Sequence, residues 1–342
     1  MPLTKTSNGR TTSAGRRTRV PRGELSGTFI EWQSVAVSSL LAQFAPVAPE
    51  SPNAEGIRDS WLFVSIFVFA IFVLVEGLLL AFIWKYRRQK RGRFEDAAQV
   101  HGATKLELAW TAGPVIVLFL IAAFVFIELP GIKDVPDAAA GEEQLEVKVS
   151  GRQFYWEYEY PNGVIAVDTM QAPVGVPVRL EVTAPDSDVI HSWWIPSLGG
   201  KIDAIPGTTN ETWFQAEAEG TYSGQCAELC GLEHARMLAS VEVVSQDEFD
   251  AWLAERADDP AELGQEEWEG VCAKCHGLNG EGGIARALVG SPVLADPQAL
   301  ETIVRNGRVT PRGIMPPVGA DWTDEQMQAL QSYLKENPPG GS

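Results

Sequence analysis

The chain has 342 residues, enough for two or three domains, with a formal net charge of −18 and 45% hydrophobic residues. A surface this acidic excludes nucleic acid as a natural partner. The charge is split: residues 1–129 carry a net +4 and residues 130–342 a net −22, the pattern of a basic, apolar membrane anchor followed by an exported acidic part.

Residues 1–45 fit a processing signal, with six Lys/Arg between Lys5 and Arg22 and then an apolar stretch from Val35 to small residues around Ala45. The rival, a disordered cytoplasmic tail, agrees less well with a first span that begins outside. After an exported segment (46–59), Trp61 to Trp84 is 24 residues with one ionisable side chain, Glu76. That length crosses about 30 Å of hydrocarbon, so 60–84 is expected to be a transmembrane helix. The loop 85–104 holds Lys85, Arg87, Arg88, Lys90, Arg91 and Arg93, and the positive-inside rule places it in the cytoplasm. A second span is expected over 105–129, so everything after Leu129, beginning with a linker (130–143), lies outside.

From 144 to 245 the chain reads as short strands. Period-two alternation at Leu145–Val149, Val178–Val182 and Leu238–Val243 is separated by turn residues such as Pro161-Asn162-Gly163 and Pro206-Gly207. Several short strands in about a hundred residues imply an all-β Greek-key sandwich. Residues 246–264 are polar and acidic, a short helix or linker. Residues 265–338 are helical at both ends; Thr323 is a candidate N-cap for a helix whose apolar stripe contains Met327. Met327 and Met170 are expected in cores, and 339–342 is expected to be a disordered tail.

All four cysteines fall in two clusters, leaving none for a structural disulfide elsewhere. The first, Cys226-Ala-Glu228-Leu-Cys230-Gly-Leu-Glu-His234-Ala-Arg-Met237, offers two thiolates, an imidazole and a thioether, soft donors suited to copper or zinc. A disulfide between Cys226 and Cys230, or a zinc site, remains an alternative, although zinc rarely recruits methionine. A sandwich can bring His191, in a distant loop, to the same end. The second cluster, Cys272-Ala-Lys-Cys275-His276, reads as covalent c-type haem attachment with the histidine as axial ligand. Met315, in Gly313-Ile-Met-Pro-Pro317, is the candidate sixth ligand, a pairing that raises the potential.

Three motifs then carry a family resemblance over residues 60–244. They are Glu107-Leu-Ala-Trp110-Thr-Ala-Gly-Pro114, Asp188-Val-Ile-His191-Ser-Trp-Trp-Ile-Pro196 running on to Gly200-Lys-Ile-Asp203-Ala-Ile-Pro-Gly207, and the Cys226–Met237 cluster. The chain resembles subunit II of the haem–copper cytochrome c oxidases, and residues 265–336 are similar to a class I cytochrome c, as in bacterial variants where the two are fused. The resemblance implies a cupredoxin-like fold with a binuclear copper (CuA) centre. Cys226 and Cys230 would bridge the metals, His191 and His234 would each bind one, and Met237 and the Glu228 carbonyl would be weak ligands. It also implies a magnesium or manganese ion on the Glu228 side chain near Asp203, at the border with subunit I.

Glu107, in the first turns of the second span, corresponds to a proton-uptake glutamate of the family; a carboxylate snorkelling to the interface is the plain alternative. The aromatic run where electrons arrive reads Phe154-Tyr155-Trp156, and Phe154 stands where many relatives have tryptophan. The expectation is therefore an electron-transfer subunit of a proton-pumping oxidase, two-pass in a bacterial plasma membrane, with its copper and haem domains on the periplasmic side. Its partners would be subunits I and III and a soluble or membrane cytochrome donor, with oxygen reduced on subunit I. The contrasting hypothesis is a membrane-anchored copper carrier for oxidase assembly, which has no use for a haem domain or Glu107.

Overall fold

The computed structural model describes residues 45–87, 99, 101–136, 144–259, 261–311 and 313–340. The expected signal segment before Ala45, the centre of the basic loop and the last two residues lie outside these. Residues Val47–Ser342 form one unit.

Two long helices come first, α1 (Pro52–Arg87) and α2 (Thr104–Lys133). Both are long and apolar enough to cross a membrane, and none of the residues in their apolar windows is buried. Lipid or another subunit is what such side chains require. They meet where the Phe63 and Phe124 rings stack at 4.1 Å. Each helix outruns the span expected from its apolar run. At about 1.5 Å per residue, the 36 residues of α1 are longer than the hydrocarbon is thick. The surplus N-terminal turns dock on the domain beyond: Asn53 donates to the Trp213 carbonyl at 2.5 Å, and the Gln215 N–H donates to the Ser51 hydroxyl at 3.0 Å.

That domain is a sandwich of ten described strands: β1 (Leu145–Arg152), β2 (Tyr155–Glu159), β3 (Ile165–Val167), β4 (Thr169–Pro173), β5 (Val178–Thr183), β6 (His191–Trp193), β7 (Ile202–Ala204), β8 (Asn210–Phe214), β9 (Gly220–Gln225) and β10 (Leu238–Val244). One sheet runs β3-β2-β1-β5-β8, a second β4-β10-β9, and β6 pairs with β7. β1 lies parallel to β5, and β10 parallel to β4, so neither pair can be a hairpin and the chain must cross between sheets. Alternate residues of each strand face inward, so Val147, Val149, Leu180, Val182, Val241 and Val243 meet in one core, joined by Met170.

The segment 246–264, expected as a short helix or acidic linker, is helical and packed over its described residues. Gln246–Asp258 is a helix, α3, opened by a capping box between Ser245 and Glu248. Phe249 and Trp252 pack on Tyr160, and Phe249 enters the sandwich core. Arg256 ion-pairs with Glu262 and Glu266 and donates to the Ile165 carbonyl.

The last domain comprises α4 (Ala261–Glu267), a wide turn Trp268–Cys272, α5 (Ala273–His276), α6 (Pro297–Asn306), a small β11–β12 ladder (Arg308–Thr310 with Gly313–Met315) and α7 (Asp324–Glu336). Thr323 caps α7 in a capping box with Gln326, and Met327 is buried beneath it, as expected. At Gly264, α4 crosses α7 so closely that a Cβ would sit 2.3 Å from the Ala329 carbonyl oxygen, which excludes any larger residue. Trp268, Leu300, Val304, Met327 and Leu330 form the core, and Tyr155 and Val167 of the sandwich belong to the same cluster.

Candidate metal and haem centres

His191 opens β6 and is fully buried; its Nε2 lies 3.1 Å from Asp188 Oδ1. Asp188 is itself held by N–H groups of Gln153 and Val189, so the ring orientation is set by a carboxylate that cannot swing. The other ring nitrogen, Nδ1, is buried without a hydrogen-bond partner. Leaving such a group unmet is costly, so its natural complement is a metal ion.

The loop between β9 and β10 supplies the rest. The Cys226 N–H donates to the Met237 carbonyl at 2.9 Å, which closes the loop on itself. The two cysteine sulfurs lie 4.0 Å apart, and Cys226 Sγ is 3.2 Å from the Glu228 carbonyl oxygen. Cys230 Sγ is 3.6 Å from His234 Nδ1 and 3.7 Å from Met237 Sδ. The ligand atoms of His191, Cys226 and Cys230 all fall within 4.8 Å of one another, and both cysteines are free thiols. Contact with the Cys230 thiol lowers the Cys226 pKa, and the same contact, with burial, raises that of Cys230. Burial opposes a charged His191, yet Asp188 and the Cys226 sulfur outweigh it and raise that pKa. Two sulfurs, a thioether and imidazole nitrogen are soft donors, and the set fits copper.

The magnesium donors are not gathered in the same way. Among the described residues no group of three or more such donors forms except His191, Cys226 and Cys230. The Asp203 carboxylate instead accepts from the Ser192 hydroxyl at 2.8 Å. Glu107 lies in the first turn of α2, where its carboxylate accepts the Ala103 N–H at 3.1 Å.

In the last domain, Cys272 and Cys275 are unbridged and half-buried. The His276 Nδ1–H donates to the Arg286 carbonyl at 2.7 Å, which leaves Nε2 free as a ligand. Met315 ends β12, held close to the C-terminus of α6 because Gly307 has no Cβ to meet the Met315 carbonyl. Ile284, Val289, Val309 and Ile314 are exposed apolar side chains of the same domain. These features fit covalent haem.

The aromatic run divides between the two domains. Tyr155 points into the core of the last domain, where its hydroxyl donates to the Val318 carbonyl at 2.8 Å. Trp156, the next residue on the strand, points to the opposite face, 6.1 Å from the His191 ring. Phe154 packs against Gly231 in the cysteine loop. Sequence reading missed the polar contacts around this run. Arg152 pairs with Glu157 and with Asp321, and Gln326 donates to Glu157 at 2.9 Å. Lys274, inside the haem motif, reaches Asp168 and the Phe154 carbonyl.

Two apolar helices, a cupredoxin-like sandwich with a cysteine–histidine–methionine pocket, and a cytochrome c domain define a membrane-anchored redox protein. The family model for the transmembrane domain of cytochrome c oxidase subunit II matches residues 40–127, and that for its periplasmic domain residues 164–244. The model described as cytochrome c oxidase, cbb3-type, subunit III matches residues 259–334. Cytochrome c oxidase subunit 2 of Alkalihalophilus pseudofirmus is 34% identical over 311 residues, 84% of this chain and 89% of that protein. The subunit 2 of Cereibacter sphaeroides is 35% identical over 261 residues, 64% of this chain and 82% of that one. The crystal structure of the periplasmic domain of subunit II of the Bradyrhizobium japonicum oxidase is 38% identical, covering 36% of this chain and 97% of that domain, with a TM-score of 0.33. The chain belongs to the cytochrome c oxidase subunit 2 family and carries a C-terminal cytochrome c domain. Copper and haem are the cofactors this family membership implies.

Proposed function

We propose that this chain takes electrons from a cytochrome donor outside a bacterial plasma membrane and delivers them to subunit I of a proton-pumping oxidase, where oxygen is reduced. When bound, the haem and the copper pair each accept and release one electron at a time. Cys272 and Cys275 would hold the haem covalently, and His276 and Met315 would serve as its iron ligands. Cys226, Cys230, His191, His234, Met237 and the Glu228 carbonyl would hold the copper, with the two thiolates as its strongest donors.

The observation that carries this reading is the buried His191 Nδ1, unpartnered beside two buried free thiols. Trp156 walls the same histidine, and Asp188 orients it. With further donors from subunit I, the Glu228 side chain would hold magnesium or manganese near Asp203, and Glu107 would serve proton uptake from the cytoplasmic side. The copper-carrier reading leaves both the cytochrome domain and its tight seating unexplained. Metal and haem analysis of the purified complex with electron paramagnetic resonance tests the proposal. Two coppers and one haem per chain are expected, with hyperfine structure shared over both coppers; a single mononuclear copper or none would overturn it.

A further inference from the structure

Lys274 lies between the two cysteines of the haem motif, a place where a lysine ordinarily reaches into solvent. Here its side chain is only 12% exposed. The ammonium donates to Asp168 Oδ2 at 2.5 Å and to the Phe154 carbonyl at 2.9 Å, both in the sandwich. Its own carbonyl accepts from Arg236 Nη1 at 2.6 Å. Arg236 ends the short turn that begins at His234, and Met237 comes directly after it. One residue before Phe154, the Gln153 side chain donates to the Cys230 carbonyl at 2.7 Å. Two hydrogen-bonded bridges therefore run from one residue of the haem motif to the copper-ligand loop, one through Arg236 to Met237 and one through Phe154 and Gln153 to Cys230.

We propose that Lys274 is a positioning residue that locks the haem-attachment motif onto the copper-ligand loop, so that electrons cross between the two domains in one fixed orientation. The inference rests on the electron-transfer function proposed for the chain and adds the contact through which it works. A buried ammonium without its partners is strongly unfavourable, so Lys274 penalises every docking orientation in which Asp168 and the Phe154 carbonyl are out of reach. Asp168 is rigid for the same purpose: its second oxygen accepts the Trp156 N–H at 3.0 Å. Gly270 admits the close approach, since a Cβ there would lie 2.7 Å from Val167 Cγ1 and 3.1 Å from Asp168 Oδ2. With α3 packed on the sandwich, Gln246–Asp258 does not act as a loose tether between the domains. The Lys274–Asp168 pair, 12% and 22% exposed, is also screened less by salt than an exposed pair, for which the screening length is about 8–10 Å.

The test uses the full chain in its oxidase complex, with flash reduction of the haem and time-resolved oxidation by the copper centre. In Lys274→Met the haem absorbance and the copper resonance spectrum should be unchanged, while the haem-to-copper rate falls about tenfold or more and becomes dependent on ionic strength. Amide exchange at Phe154 and across 269–276 should quicken. Lys274→Arg should restore most of the rate. Gly270→Leu, which wedges the domains apart and leaves both bridges' side chains intact, should reproduce the loss. An unaltered, salt-independent rate in Lys274→Met with both spectra intact would overturn the proposal. If that variant fails to take up haem, Asp168→Asn, which keeps an oxygen for the Trp156 N–H, gives the same reading. A native complex that lacks the copper signal, or that passes no electrons from haem to copper, would refute the underlying function and this contact with it.

Discussion

The Trp322 indole N–H donates to the Tyr155 hydroxyl at 2.8 Å, joining the loop before the last helix of the cytochrome domain to the second strand of the sandwich. Tyr155 is wholly buried, and its hydroxyl passes the chain of hydrogen bonds on to the Val318 carbonyl. The sandwich face that carries Tyr155 is thus covered by the chain's own last domain.

Removing that hydroxyl should loosen the seat without touching either metal site. Tyr155→Phe leaves the Trp322 N–H and the Val318 carbonyl buried and unmet, at a cost of about 1–3 kcal/mol. Thermal unfolding of the soluble portion should shift down, and amide exchange near Trp322 should rise. An unchanged melting temperature would mean that water replaces the hydroxyl at no cost.

The copper pocket should depend on its supporting carboxylate as well as on its ligands. Asp188→Ala frees the His191 ring and should weaken copper binding about 10–100-fold, the usual effect of losing a partner that orients a metal-bound histidine. Cys230→Ser should abolish the shared-copper signal outright, because a hydroxyl is too hard and too weak a bridge. Met237→Leu should keep the metals and shift the potential. Copper titration followed by resonance spectroscopy distinguishes the three.

Met315→Ala should open the sixth position of the haem iron. Carbon monoxide should bind, and the haem potential should fall, since methionine opposite histidine raises it. The thioether links at Cys272 and Cys275 should survive, as denaturing gel haem staining would report. A ligand-inert spectrum would assign the position to another residue.

Glu267 makes stability fall as pH rises. It is fully buried with neither carboxylate oxygen hydrogen-bonded, and its pKa is pushed up to about 10, first by burial and then by Glu157 and Glu266. The native state keeps this proton while the unfolded chain, with an ordinary glutamate near pH 4.3, releases it. Stability is therefore present below the unfolded pKa and declines through the window up to about 10. Glu267→Gln should remove that slope and stabilise the protein by on the order of 3 kcal/mol at neutral pH, with a gain that grows in alkali. Denaturant unfolding at pH 6 and pH 9 checks it; a gain equal at both would mean that Glu267 is ionised in the folded protein.

Much was legible before folding because it is local. Membrane helices announce themselves as uninterrupted apolar runs, and strands as alternation. The donors of the second cluster lie within five residues, and four of the first within twelve, so their chemistry is written in neighbouring positions. The segment after Ser245 was legible in part: Ser245 and Glu248 form a capping box, and Phe249, Trp252 and Leu253 share one helical face, yet its acidity reads as a linker. Glu267 was not legible at all, because a glutamate flanked by Glu266 and Trp268 looks like any exposed helix start.

The residue sequence by itself determined the class of the protein, its two spans, its sandwich and its two sets of metal donors, since each depends on periodicity or spacing within a short stretch. Only the tertiary structure decided how the two redox domains meet. The contacts that seat one on the other, Lys274 with Asp168, Trp322 with Tyr155 and Gln326 with Glu157, join positions 106, 167 and 169 residues apart. Every one of them involves a residue type that is ordinary on a surface. What makes these pairs matter is burial, and burial is a property of two folded faces brought together, which no local pattern encodes.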